Sequence, residues 1–166
     1  KVIDQFWELK LVKEPSNIFK LDYNKINNLD GWGELSISNL KKSISNSKRI
    51  VLDKFIFSIG IRHIGQENAK ILASFFSSLK EFLKFIDSND KNKILKNLLE
   101  LDGIGDTQTD SIKTFFSNKT NVKITKELIN VLEISDFKSK TKNGILLNKK
   151  IMFTGGFKDM SRSEAK

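Results

Sequence analysis

Three short segments of this chain have the residue types and spacing to hold an anion: Leu29-Asp-Gly-Trp-Gly33, Ile59-Gly-Ile-Arg-His-Ile-Gly65 and Leu101-Asp-Gly-Ile-Gly105. Their last glycines are 32 and 40 residues apart, and each segment lies between two stretches of helical periodicity. Glycine adopts positive φ without strain and lets a ligand approach the backbone with no Cβ in the way. The apolar residue between the glycines (Trp32, Ile64, Ile104) is expected to turn inward and pin the turn. Loop amides and the first N–H groups of the following helix then point outward together, a ready phosphate site assisted by the helix dipole. The candidate contact positions are therefore Gly31, Gly33, Gly60, Gly65, Gly103 and Gly105. Arg62 and His63 sit in the middle turn. Arg62 suits a phosphate or a groove edge as well as it suits plain solvation, and His63 stands where the other two segments have their first glycine. His63 reads as a hydrogen-bonded loop residue, not a catalyst. Lys41, Lys42, Lys70 and Lys113 follow in the helices as further candidate contacts, each also explicable as a solvated side chain.

Composition narrows the remaining chemistry. The chain has no cysteine, so disulfides and thiolate metal sites within it are excluded. A single histidine and no histidine–carboxylate cluster argue against a zinc or two-metal site. A hydrophobic fraction of 39% with 13 Phe describes a globular chain. The net charge of +9 favours an anionic partner, but it is unevenly spread. Residues 1–135 hold 21 Lys and Arg against 17 Asp and Glu, a net of +4; residues 136–166 hold 8 against 3, a net of +5. The glycine segments thus lie in a mildly basic region and carry Asp30, Asp102 and Asp106 beside them. That places the weight on backbone donors instead of a lysine patch. No apolar run approaches the roughly 18 residues of a membrane span, and no secretory signal opens the chain. The expectation is a soluble cytoplasmic monomer with no membrane partner.

Almost all the periodicity is helical. Val2 to Leu11 reads as a helix, Pro15 suits the first turn of a second, and Asp22 caps a third through Ile26. Further helices are expected over 34–45, with Leu35, Ile37, Leu40 and Ile44 inward, and from Asp53, carrying Phe55, Ile56 and Ile59. Others follow over 66–77, 79–86, 91–99, 106–116 and 125–132. The phenylalanines at 55, 57, 75, 76, 82, 85, 115 and 116 are assigned to the core. Residues 136–147 are polar, basic and turn-rich, and read as a linker. Beyond them a β-prone run, Lys150-Ile-Met-Phe-Thr154, meets Gly155-Gly156, and Ser161-Arg-Ser-Glu164 has the spacing of a helix-capping box. These are the opening elements of an α/β module. The chain starts inside an amphipathic run, Val2-Ile3-Phe6-Trp7-Leu9, and stops at Ser163-Glu164-Ala165-Lys166 where a helix is just beginning, so the expectation is a piece of a longer protein.

Set in register on their last glycines, the three segments agree further along: Leu40, Leu72 and Ile112 each follow by seven residues. A repeated helix–turn–helix unit of this kind is similar to the helix-hairpin-helix motif. It points to duplex DNA held by its backbone and without sequence preference, because such contacts meet phosphate and not base edges.

Longer stretches carry a more specific resemblance. Phe6-Trp-Glu-Leu-Lys-Leu-Val-Lys-Glu-Pro15, Gly31-Trp-Gly-Glu34 with Ser38-Asn-Leu40, and above all Phe55-Ile-Phe-Ser-Ile-Gly-Ile-Arg-His-Ile-Gly65 followed by Ala69-Lys70 resemble the C-terminal half of bacterial NAD-dependent DNA ligases. Asp102-Gly-Ile-Gly105, Ser111-Ile112 and Phe115-Phe116 continue the match. Leu147-Asn-Lys-Lys-Ile-Met-Phe-Thr-Gly155 and Met160-Ser-Arg-Ser-Glu-Ala-Lys166 resemble the start of that family's BRCT domain, where Thr154-Gly155 reads as a strand-to-helix turn. The resemblance implies an all-α, tandem helix-hairpin-helix array of the SAM and RuvA C-terminal kind over 1–135, with its first motif incomplete. A linker over 136–147 and a truncated α/β BRCT start over 148–166 follow. It implies a parent enzyme that seals nicks in replication and repair using NAD, Mg2+ and a structural Zn2+, all held outside this chain, in a bacterial, nucleoid-associated setting. This chain would carry no catalytic or cofactor-binding residue and would act as a clamp on nicked duplex DNA. The alternative is the same motif serving a non-ligase repair protein, such as an excision nuclease subunit.

Overall fold

Side chains that satisfy the N–H groups a helix leaves over at its start set the boundaries here. Asp22 Oδ1 accepts from Asn24 N–H at 3.1 Å, and Ser78 Oγ accepts from Glu81 N–H at 3.3 Å. Asn118 Oδ1 accepts from Thr120 and Asn121 at 2.8 and 3.4 Å. The computed structural model describes residues 2–138. In chain order it contains α1 (Val2–Glu8), a 3-10 turn (Pro15–Lys20), α2 (Tyr23–Asn27), α3 (Glu34–Ser47), β1 (Arg49–Val51) and α4 (Leu52–Ser58). Then come α5 (Gln66–Phe76), α6 (Leu79–Asp87), α7 (Asn92–Leu99), α8 (Asp106–Ser117), α9 (Lys119–Val131) and β2 (Glu133–Ser135). The helical array expected from the sequence is present. Most of the expected linker and all of the expected α/β opening lie outside the described residues.

Two apolar cores support these elements. The first gathers Phe6, Val12, Leu21, Ile26 and Ile44, with Trp32 stacked on Phe6 at 5.3 Å between ring centroids. The second, much larger, runs from Leu52 to Phe116. At its centre Phe55, Phe76, Phe82, Phe85 and Phe116 meet at centroid distances of 5.2 to 6.5 Å, mostly edge to face. That is the arrangement the ring quadrupoles favour. A polar latch joins the two cores where the 3-10 turn lies on α9. Ser16 is buried there and donates to Glu127 Oε2 at 3.2 Å, while Lys123 Nζ reaches Glu14 at 2.7 Å and Glu127 at 3.5 Å.

Several expectations are corrected. The first helix stops at Glu8, because Lys10 takes a left-handed φ of 57° and the N–H groups of Leu11 and Val12 both return to the Phe6 carbonyl. The Asn118 cap starts α9 at Lys119, six residues before the expected start at Thr125. Leu35 is 75% exposed and Phe57 43% exposed, so neither belongs to a core. β1 and β2 form a parallel pair with Arg49 opposite Glu133, which three-residue strands are too short to announce by alternation. Arg49 Nε and Glu133 Oε2 are 3.0 Å apart across it. Beyond β2, Asp136 Oδ1 accepts the Leu79 N–H at 2.9 Å and Phe137 packs on the large core. The first two residues of the expected linker are thus tied to the helices.

Candidate nucleic-acid interface

One backbone geometry recurs in all three glycine segments. The N–H groups of Trp32, Ile64 and Ile104 donate to the carbonyls of Leu29, Ile61 and Leu101 at 3.2, 3.1 and 3.1 Å. The residue before each donor is left-handed: Gly31 at φ 81°, His63 at 61° and Gly103 at 92°. Such a turn needs positive φ at its third position, where glycine is unstrained. His63 fills it in the middle hairpin as the sequence register suggested, and its carbonyl accepts from Asn68 Nδ2 of α5 at 3.3 Å. Gly60, at φ 73°, has a different task from Gly31 and Gly103. Its N–H returns to the Phe57 carbonyl at 3.3 Å, and it ends α4.

The last glycines are extended and cap the next helices. The carbonyls of Gly33, Gly65 and Gly105 accept the first intrahelical bonds of α3, α5 and α8, from Ile37, Ala69 and Thr109 at 3.1, 2.9 and 3.0 Å. A Cβ added at Gly33 or Gly65 would meet nothing within 4 Å, so the space over these helix starts is open to a ligand. The spacers behave as expected. Ile64 and Ile104 are buried, and half-buried Trp32 donates Nε1–H to Gln5 Oε1 at 3.0 Å. In the third hairpin the Gly105 N–H already donates to Gln108 Oε1 at 3.1 Å, so a ligand there displaces a carboxamide.

The middle and third hairpins form a reciprocal pair. Gly103 lies against Ile71 of α5, with its Cδ1 2.9 Å from where a Cβ would stand. Gly60, Arg62 and His63 in turn line a groove with Thr107, Ser111 and Thr114 of α8. Ile71 and Ser111 each follow a capping glycine by six residues, so the two halves meet as near-twofold equivalents. The structure therefore unites Gly60, Arg62, His63, Gly65, Gly103 and Gly105 in one unit. Gly31 and Gly33 belong to the other core. Arg62 is exposed and makes no ion pair among the described residues. Lys70 is bonded to Glu67 at 2.8 Å, which raises its pKa through that hydrogen bond and then through the attraction of the same carboxylate. Lys113 is exposed, and the Lys41 ammonium lies 5.9 Å from the Tyr23 ring centroid. Sequence reasoning missed the hydroxyl stripe of Thr107, Ser111 and Thr114, although its spacing of four and three residues is the helical signal that would have revealed it. Asp110 sits in the same groove, so it is not a uniformly basic surface.

Among the described residues no three His, Cys, Asp or Glu side chains gather where a metal ion could be held, and no helix is long and apolar enough to cross a membrane.

Repeated turns, capping glycines and reciprocal packing are the geometry of a helix-hairpin-helix array, and residues 54–125 match the family described as helix-hairpin-helix motif. Over its whole length the chain is also similar to DNA ligases, as its residues at 6–15 and 55–65 suggest. It is 50% identical over 166 residues to the DNA ligase of Pelagibacter ubique, covering 100% of this chain. It is 39% and 41% identical, over 165 residues and 95% of the chain, to the DNA ligases of Rickettsia typhi and Rickettsia prowazekii. The chain spans 24% of the length of each of these relatives.

Proposed function

We propose that this chain grips duplex DNA by its sugar–phosphate backbone, as the clamp segment of an NAD-dependent ligase that seals nicks in replication and repair. The observation that carries this reading is the open space over Gly33 and Gly65 at the starts of α3 and α5, backed by turns of one geometry. Phosphates would be met by amides around Gly31, Gly33, Gly65, Gly103 and Gly105. Gly60 shapes the middle hairpin, Arg62 and His63 present its tip, Lys113 adds charge, and Lys70 would meet phosphate only by leaving Glu67. The net of +4 over residues 1–135 suits this division, since most of the donors are then backbone groups. Adenylation of a lysine by NAD and transfer of AMP to the 5′-phosphate would belong to the rest of the ligase. This chain alone would seal no nick with NAD or ATP.

Titration of nicked duplex with the chain at increasing salt tests the reading. If about six phosphates are neutralised, log K falls against log salt with a slope of about −5. Gly65→Val is the decisive variant. It has room and an extended backbone, so it should melt within about 1 kcal/mol of the parent while weakening DNA binding about tenfold or more. Salt-independent binding by the parent, or full binding by Gly65→Val, overturns the clamp.

A further inference from the structure

Beside the middle hairpin lies a notch that the hairpin motif does not explain. It is lined by Asp53, Lys54 and Phe57 of α4 and by Gln66 and Lys70 of α5. Phe57 is 43% exposed, whereas Phe55 on the same helix is wholly buried. A ring left in water gives up the burial that the other aromatic side chains of this unit obtain. Gln66 is the first residue of α5, so the notch opens directly beside the helix start that would hold phosphate.

The charges around the notch nearly cancel. Lys54 and Lys70 line it together with Asp53, and Glu67 holds the Lys70 ammonium at 2.8 Å. Such a site has little to attract a second phosphate. It offers an apolar ring and a neutral carboxamide, which match what adjoins a phosphate along a DNA strand. The neighbour is a deoxyribose, and beside it the minor-groove base edge carries the acceptors A N3 and T O2, which a carboxamide N–H can meet. We propose that Phe57 packs on the deoxyribose edge of the strand held by the middle hairpin, and that Gln66 donates to the adjoining minor-groove edge. This rests on the DNA-binding reading above and adds to it a contact with the uncharged part of the strand, carried by residues outside the turn.

The test is anisotropy of the full chain on fluorescein-labelled nicked duplex, again over a range of salt. Phe57→Ser should weaken binding about tenfold, near the effect of removing an aromatic base platform, with the salt slope unchanged because no phosphate contact is lost. Phe57→Tyr should bind like the parent. Gln66→Ala, an exposed site, should weaken binding about threefold, also with unchanged slope. Thermal melting identifies folded variants, and if Phe57→Ser does not fold, Gln66→Ala decides. Parent-like affinity in whichever of Phe57→Ser and Gln66→Ala is folded overturns the notch contact and leaves the clamp standing. A slope reduced by about one unit also overturns it, by showing that a phosphate contact was lost instead. A parent chain that binds no DNA sinks the clamp itself.

Discussion

The first hairpin and the paired hairpins share a backbone turn but not its backing. In the first, Trp32 is half-buried, five residues make up the buried core, and a Cβ at Gly31 would have open space around it. In the pair, Ile64 and Ile104 are buried in one phenylalanine-rich core, and a Cβ at Gly103 would push aside the Ile71 Cδ1 that lies 2.9 Å from it. Turn geometry is therefore a local matter of which residue tolerates positive φ. Rigidity comes from what the turn leans on. If the hairpins hold phosphate as proposed, the two regions should do so with different stiffness although their amides are arranged alike.

The largest test of that contrast separates the cores. Phe82, 1% exposed, meets the rings of Phe55, Phe76 and Phe116, and its replacement by Ala should cost about 3–5 kcal/mol. Both tryptophans, Trp7 and Trp32, lie in the N-terminal region, so their fluorescence follows the small core while far-ultraviolet dichroism follows all the helices. In urea, Phe82→Ala should lower the dichroism midpoint more than the fluorescence midpoint, and Phe6→Ala should do the reverse. Midpoints that move together in both variants mean that the latch makes one cooperative unit of the two cores.

A smaller effect distinguishes the turns themselves. Valine at position 31 or 103 meets a left-handed backbone, a strain of about 1–3 kcal/mol. At 103 it also meets the tip of the Ile71 side chain, 2.9 Å from where a Cβ would stand, and turning that tip aside adds about 1 kcal/mol, the low end of overpacking costs. Gly103→Val should therefore be the more damaging by calorimetry, and truncating Ile71 to Ala should recover part of the loss. Equal losses at 31 and 103 would remove the asymmetry between the hairpins.

Much of this was readable from the chain because glycine spacing and helical period are local signals. The three turns, the inward spacers, the substitution of His63 for glycine and most helix boundaries follow from residues within one or two turns of each other. The missed features depend on partners far away. β1 and β2 pair across 84 residues, the distance from Arg49 to Glu133, and neither is long enough to alternate. Phe57 looks like a core residue by type and period; only the placement of α5 across α4 leaves it at a notch. Gly103 looked like a pure ligand position, and its tight contact with Ile71 depends on how two repeats dock.

The smallest expected effect concerns the latch that joins the two regions. Glu14 is held below the usual carboxylate range, first by a hydrogen bond with Glu127 and then by the Lys123 ammonium. Lys123 is held above the usual lysine range by its hydrogen bond to Glu14, then by the charge of Glu127. A depressed carboxyl group stabilises the fold above its unfolded pKa, and that stability disappears as pH falls through the folded value. A raised ammonium stabilises below its unfolded pKa, and that contribution is lost as pH rises through the folded value. The latch is thus strongest between these limits and opens from the acid side through Glu14. Exposed ion pairs are weak, so the change is modest. Glu14→Gln should melt slightly below the parent at about pH 6, and the difference should shrink as pH falls below the usual carboxylate range of about 4 and on through the lowered folded value, where the parent carboxyl becomes neutral too. The tryptophan midpoint should shift more than the dichroism midpoint, because the small core is the region that the latch secures to the larger one. A difference that stays the same across this pH range would mean that the 3-10 turn is held to α9 by shape and by Ser16, with its ion pairs incidental.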